Sequence, residues 1–110
     1  MKQKVNDIIQ VIENYYSLPP GAVHFKIRKR EIVIARQLSH YFTREVFKRE
    51  LSLADIGKLI GNKDHATILN SIRAINDSLD TDKSFVLQVE EIRYLINQKP
   101  VLFFPFVYME

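Results

Sequence analysis

Lys63, Asp64, His65, Ala66 and Thr67, which follow Gly61-Asn62, are the residues best suited to recognise another molecule. A carboxylate such as Asp64 accepts a hydrogen bond from a cytosine amino group, and the methyls of Ala66 and Thr67 suit a thymine methyl. Lys63 can pair with a backbone phosphate as a point charge, and a helix that starts at these residues adds the anion affinity of its N-terminus. The same residues also admit plainer roles. Asp64 or Asn62 can simply cap a helix, and His65 can sit unremarked on the boundary between faces. Enzymatic chemistry is not indicated. His24, His40 and His65 form no metal-ligand spacing, and no nucleophile stands beside a base. With no cysteine there is no zinc finger, iron–sulfur cluster or thiol nucleophile, so no metal or cofactor is expected.

Such residues act only if an element holds them in line. Leu53, Ile56, Leu59 and Ile60 give a short helical pattern, Gly61 breaks it, and Ile68, Leu69, Ile72 and Ile75 give a longer one. A short helix, a tight turn and a second helix with a polar leading end make a helix-turn-helix, whose second helix enters the major groove of DNA. Wound at about 100° per residue, the second helix gathers Ile68, Ile72, Ile75 and Leu79 on one side. Ala66, Thr67, Asn70, Arg73 and Ala74 fall opposite, with Asp64 and His65 at the tip. Ser52 can cap the first helix. Gly57 and Gly61 are expected to permit close packing and a tight turn, Gly61 marking a left-handed helix end.

The remaining chain is also helical in pattern. Residues 4–17 carry Val5, Ile8, Ile9, Ile12 and Tyr16 on one stripe, closed by Ser17-Leu18-Pro19-Pro20-Gly21. A turn is expected over Ala22 to Phe25, followed by Lys26-Ile27-Arg28-Lys29-Arg30, too charged for a core. Residues 31–48 place Ala35, Leu38, Phe42 and Val46 on one face, and Arg36, His40, Arg44 and Lys48 on a ridge assigned to the far side, with Gln37 beside it. Asp80-Thr81-Asp82 breaks the chain again before a last helix at 83–97. The fold class is therefore all-α, with residues 1–98 as the helix-turn-helix domain and 99–110 as an apolar extension. Val101-Leu102-Phe103-Phe104-Pro105-Phe106-Val107-Tyr108 either folds back over a groove of the bundle or forms a homodimer contact or a docking strand for a protein partner.

Charge is polarised rather than extreme. The net charge is +3, yet Lys26, Arg28, Lys29, Arg30, Arg36, Arg44, Lys48 and Arg49 are eight of the sixteen basic residues and face only Glu31 and Glu45 within that stretch. A basic middle of this kind is an electrostatic footprint for phosphate. No apolar run approaches a membrane span, and the N-terminus reads as an amphipathic helix rather than a signal peptide. The lack of cysteine fits a cytoplasmic protein.

The run Ala54-Asp55-Ile56-Gly57-Lys58-Leu59-Ile60-Gly61-Asn62-Lys63-Asp64-His65-Ala66-Thr67-Ile68-Leu69 closely resembles the signature of the C-terminal DNA-binding domain of DnaA, the bacterial chromosomal replication initiator. That signature reads roughly I-G-x-x-F-G-[GN]-[RK]-D-H-[TS]-T-V. Upstream, Tyr15-Tyr16 closes the first helix as in the family, a basic loop follows, and Ala35-Arg36-Gln37-Leu38 stands where the family has a Pro-Arg-Gln segment. The resemblance covers about residues 4–97. It implies a Trp-repressor-like helical fold and recognition of double-stranded DNA at sites of the DnaA-box type. It also implies that Lys63, Asp64, His65, Ala66 and Thr67 form the major-groove head, and the helical face places Asn70 beside them. Arg28, in a loop shared with Lys29 and Arg30, takes the place of the arginine that enters the minor groove. Arg36, Gln37 and Arg44 lie at positions that hold the phosphate backbone.

Two departures stand out. Ala66 replaces the usual threonine or serine, which removes a hydroxyl contact and leaves a methyl, and Ala35 replaces the usual proline. No GxxxxGK[ST] loop occurs in the 110 residues, so the chain looks like a reading domain without the initiator's ATPase module. It is expected to serve or regulate replication initiation through initiator-type boxes. A helical adaptor that binds protein through residues 101–108 is the alternative.

Overall fold

A computed structural model of the chain describes residues 1–98, so the apolar segment 101–108 and the contacts expected of it lie outside the described residues. Five α-helices and one 3-10 turn make up the described residues, with no strand among them, as the all-α expectation required. The helices are α1 (Lys2–Tyr15), α2 (Arg30–Val46), α3 (Leu53–Leu59), α4 (His65–Thr81) and α5 (Lys83–Asn97), and the 3-10 turn spans Ala22–His24. None of the described helices is long and apolar enough to cross a membrane.

Local chemistry sets the boundaries. α1 ends at Tyr15, three residues short of the prolines: Ser17 adopts a left-handed φ of 55°, its N–H bonds to the Asn14 carbonyl at 3.1 Å, and the Leu18 N–H bonds to the Glu13 carbonyl at 2.8 Å. That pair of bonds is a Schellman ending, here on serine instead of the usual glycine. Three later helices start on side-chain caps, Ser52 for α3, Asp64 for α4 and Asp82 for α5. Asp82 also closes α4, so one residue is the whole joint between α4 and α5.

α2 is the central element and packs against α1, α3, α4 and the 3-10 turn. Ile8 and Ile12 of α1, Leu38 and Phe42 of α2, Ile56 and Ile60 of the α3 region, Ile68 and Ile75 of α4, and Ile92 and Ile96 of α5 are all buried in one core. The core-facing stripe of α2 is as expected, but the far side of the helix is not solvent. His40, assigned to an exposed basic ridge, is 1% exposed, and its Nδ1 lies 2.8 Å from the hydroxyl of buried Ser71 on α4. A helix enclosed by four neighbours has no face of its own for a continuous ridge. Arg36 and Arg44 remain half-buried and Lys48 is exposed.

Candidate nucleic-acid interface

The α3–turn–α4 unit is built from a few strict local choices. Ser52 and Asp55 form a reciprocal capping box, with Asp55 N–H donating to Ser52 Oγ at 3.1 Å and Ser52 N–H donating to Asp55 Oδ2 at 3.0 Å. At the far end of α3 the chain folds back over Gly57: the Lys63 N–H donates to the Gly57 carbonyl at 2.8 Å. A Cβ at position 57 would stand 2.0 Å from the Lys63 carbonyl oxygen, so only glycine admits this approach. Gly61 (φ 78°) and Asn62 (φ 52°) then turn the chain through the left-handed region, which glycine and asparagine tolerate best.

Asp64 starts α4. Its Oδ1 accepts from the Thr67 N–H at 2.9 Å and from the Thr67 hydroxyl at 3.0 Å. The Thr67 amide bond, followed by the hydroxyl, holds the Asp64 carboxyl below the usual carboxylate range. Lys63, Asp64, His65, Ala66, Asn70 and Arg73 are exposed, and Thr67 is half-buried. Ile68, Ser71 and Ile75 fix the opposite side of α4 in the core. The expected division of faces holds at Ile68 and Ile75. Ile72 and Leu79 are only half-buried, Ala74 opposite them is half-buried too, and Ser71 is a buried polar member that periodicity alone did not mark.

Lys26, Ile27, Arg28 and Lys29 form an extended, exposed loop that runs into the first residue of α2, Arg30. The loop and the turn before α4 flank one cleft of about 440 Å³, which Lys26, Arg28, Arg36, Gly61 and Lys63 help to line. A second cleft, of about 350 Å³, lies between the loop and the rear of α4 and takes in Arg28, Arg30 and Gln37. Arg28 lines both clefts and stands between them. The cations expected from the loop and from the turn are thus neighbours in space. Arg44 is not on either cleft; it lies two helical turns beyond Arg36, about 12 Å along α2. Lys29 and Arg30 occupy the positive end of α2, which has no side-chain cap.

Arg36 has a partner that its position in the sequence did not announce. Its Nε donates to the Val23 carbonyl at 2.8 Å and its Nη2 to the Phe25 carbonyl. Glu13 was not singled out at all, yet it is 2% exposed and accepts from the Gly21 and Val23 N–H groups, both at 3.2 Å. A signal for it existed: Glu13 falls four residues after buried Ile9 and three before half-buried Tyr16, on the apolar stripe of α1.

The imidazole of His40 lies beneath this surface. Burial, and then the charge of Arg36, push its pKa down to about 4, with Lys63 acting in the same direction and the Ile60 backbone against it. It is therefore neutral at ordinary pH.

Comparison with known proteins agrees with this geometry. A family model described as the bacterial DnaA protein helix-turn-helix matches residues 5–75. The chain is 41% identical over 95 residues to a chromosomal replication initiator protein DnaA of Bacteroides thetaiotaomicron, a match that covers 86% of this chain and 20% of that protein. The protein of the same name from Bacteroides fragilis is 38% identical over 97 residues, covering 88% and 20%, and that from Flavobacterium psychrophilum is 39% identical over 94 residues, covering 84% and 19%. The chain thus spans about a fifth of the length of the relatives it matches.

Proposed function

The chain belongs to the bacterial DnaA helix-turn-helix family, and from that premise we propose that it binds double-stranded DNA selectively at a site of the DnaA-box type. The leading end of α4, Lys63 to Thr67 with Asn70, enters the major groove. Arg28, in the loop with Lys29 and Arg30, enters the adjacent minor groove. Gln37 and Arg44 hold phosphates, and Arg36 lies beside them with two of its donors serving the loop. These 110 residues act by binding alone, without ATP hydrolysis of their own.

One observation carries this reading: the turn that leads into α4 and the basic loop flank the same cleft, lined by Lys26, Arg28 and Lys63. Cations at the positive end of a helix cost roughly 0.3–1 kcal/mol each. Lys29 and Arg30 at the start of α2 are placed against stability, and a phosphate between them offsets that cost.

Fluorescence anisotropy with a duplex carrying an initiator-type box and a scrambled duplex, each at two salt concentrations, tests the proposal. The expected result is a box preference and an affinity that falls steeply with salt, because neutralised phosphates release counterions. Equal, weak binding to both duplexes rejects it and favours an adaptor. The adaptor has its own support in Leu87 (69% exposed), Tyr94 (63%) and Leu95 (41%), an apolar face on α5. A chain ending at Gln98 is expected to keep the box preference. A dimer seen by light scattering only when residues 99–110 are present assigns that extension to self-association.

A further inference from the structure

Val23 is held from both sides by opposite charges. Its N–H donates to Glu13 Oε2 at 3.2 Å and its carbonyl accepts from Arg36 Nε at 2.8 Å. Glu13 also takes the Gly21 N–H on its other oxygen, and Arg36 also takes the Phe25 carbonyl. Glu13 belongs to α1 and Arg36 to α2, so residues 21–25 are bracketed between two helices of the core. The next fixed point is Arg30, where α2 begins. Only Lys26 to Lys29 lie between, with Arg28 among them.

Each group is chemically suited to the bracket. A carboxylate that is 2% exposed is costly to bury unless its oxygens are bonded, and Glu13 uses both oxygens on backbone N–H groups of this turn. A guanidinium is a planar fork that can serve two carbonyls at once, which the point charge of an ammonium does not reproduce.

We infer that Arg36 and Glu13 are positioning residues for DNA recognition, bracketing the Val23 peptide so that the basic loop presents Arg28 to the duplex, and that Arg36 acts through this loop rather than as a phosphate contact of its own. The inference rests on the duplex-binding reading above.

The test is a set of anisotropy titrations on the box duplex with Arg36→Lys, Glu13→Gln, Arg28→Ala and the double variant Arg28→Ala/Arg36→Lys. Arg36→Lys is expected to lose about tenfold in affinity although the charge is kept, a loss of the size of one good groove contact. The double variant is expected to bind no more weakly than Arg28→Ala alone. Glu13→Gln, at a buried acidic position, is expected to weaken binding as well. Amide hydrogen exchange on the DNA-free chain supplies an independent readout: residues 21–25, whose amides are bonded in the turn, exchange faster in Arg36→Lys, while α4 is unchanged.

Wild-type affinity in Arg36→Lys, together with a salt slope flattened by about one ion in Arg36→Ala, makes Arg36 a phosphate contact and overturns the inference. Additive losses in the double variant overturn it too. Absence of duplex binding by the wild-type chain overturns the DNA reading itself, and the inference falls with it.

Discussion

Asp64 is where a folding role and the proposed recognition role meet in one side chain. Its carboxylate caps α4 through Thr67, and the same group sits exposed at the tip that the proposal sends into the major groove. The two roles separate by substitution. Asp64→Ser keeps an N-cap acceptor, so its melting temperature is expected to stay near wild type while box discrimination falls about tenfold. Asp64→Ala is expected to lose both, and His65→Ala to lose discrimination alone. Melting curves paired with anisotropy decide the matter, and a normal preference in Asp64→Ser leaves Asp64 as a cap only. The cap at Asp64 was legible in the sequence because capping depends on residue type and local order. Glu13 was legible only as a charge on the apolar stripe of α1; its role was not, because its backbone partners lie eight and ten residues away.

At the scale of elements, Gly57 is the strictest requirement of the helix-turn-helix. The atom that a Cβ would meet is a backbone oxygen, which cannot swing aside as a side-chain end can. Gly57→Ala is therefore expected to destabilise the chain by roughly 1–3 kcal/mol or more and to displace Lys63 and Asp64. Urea unfolding and duplex titration read the two effects, and wild-type values in both contradict the account. The α2–α4 packing carries a second prediction, through His40. Its folded pKa of about 4 lies below its ordinary 6.5, so between these values the unfolded chain takes up a proton that the native chain refuses. Stability is thus complete above about pH 6.5 and is lost as pH falls toward 4, by at most roughly 3–4 kcal/mol. Urea midpoints across that window are expected to decline in the wild type and to flatten in His40→Leu. Five helices and their punctuation could be read from apolar spacing, prolines and caps. The burial of His40 could not, since periodicity finds the most apolar face of α2 and is blind to how many neighbours enclose the others.

At the scale of the molecule, α5 is the brace. The Arg93 guanidinium makes two 2.9 Å bonds to Glu45 of α2 and a third contact to Glu90, and lies 5.5 Å from the centre of the Phe42 ring. The paired carboxylates raise the Arg93 pKa, chiefly through the Glu45 hydrogen bonds. Tyr15 of α1 and Tyr16, which caps it, donate to Glu91 and Gln88 of α5, and that bond to Glu91 and burial push their respective pKa values up to about 12. α5 is thereby tied to α1 and α2, and through the one-residue joint at Asp82 it meets the rear of α4 with no slack. Inserting a glycine after Asp82 is expected to leave the helix content unchanged by circular dichroism and to reduce box discrimination. Unchanged discrimination shows that the brace does not matter for recognition. With α4 held between α5 and the core in this way, the proposed recognition leaves the duplex to do the yielding. Its deformability then becomes part of the recognised message: boxes flanked by pliable pyrimidine–purine steps are expected to bind more tightly than boxes flanked by stiff A-tracts, at base pairs that no side chain touches.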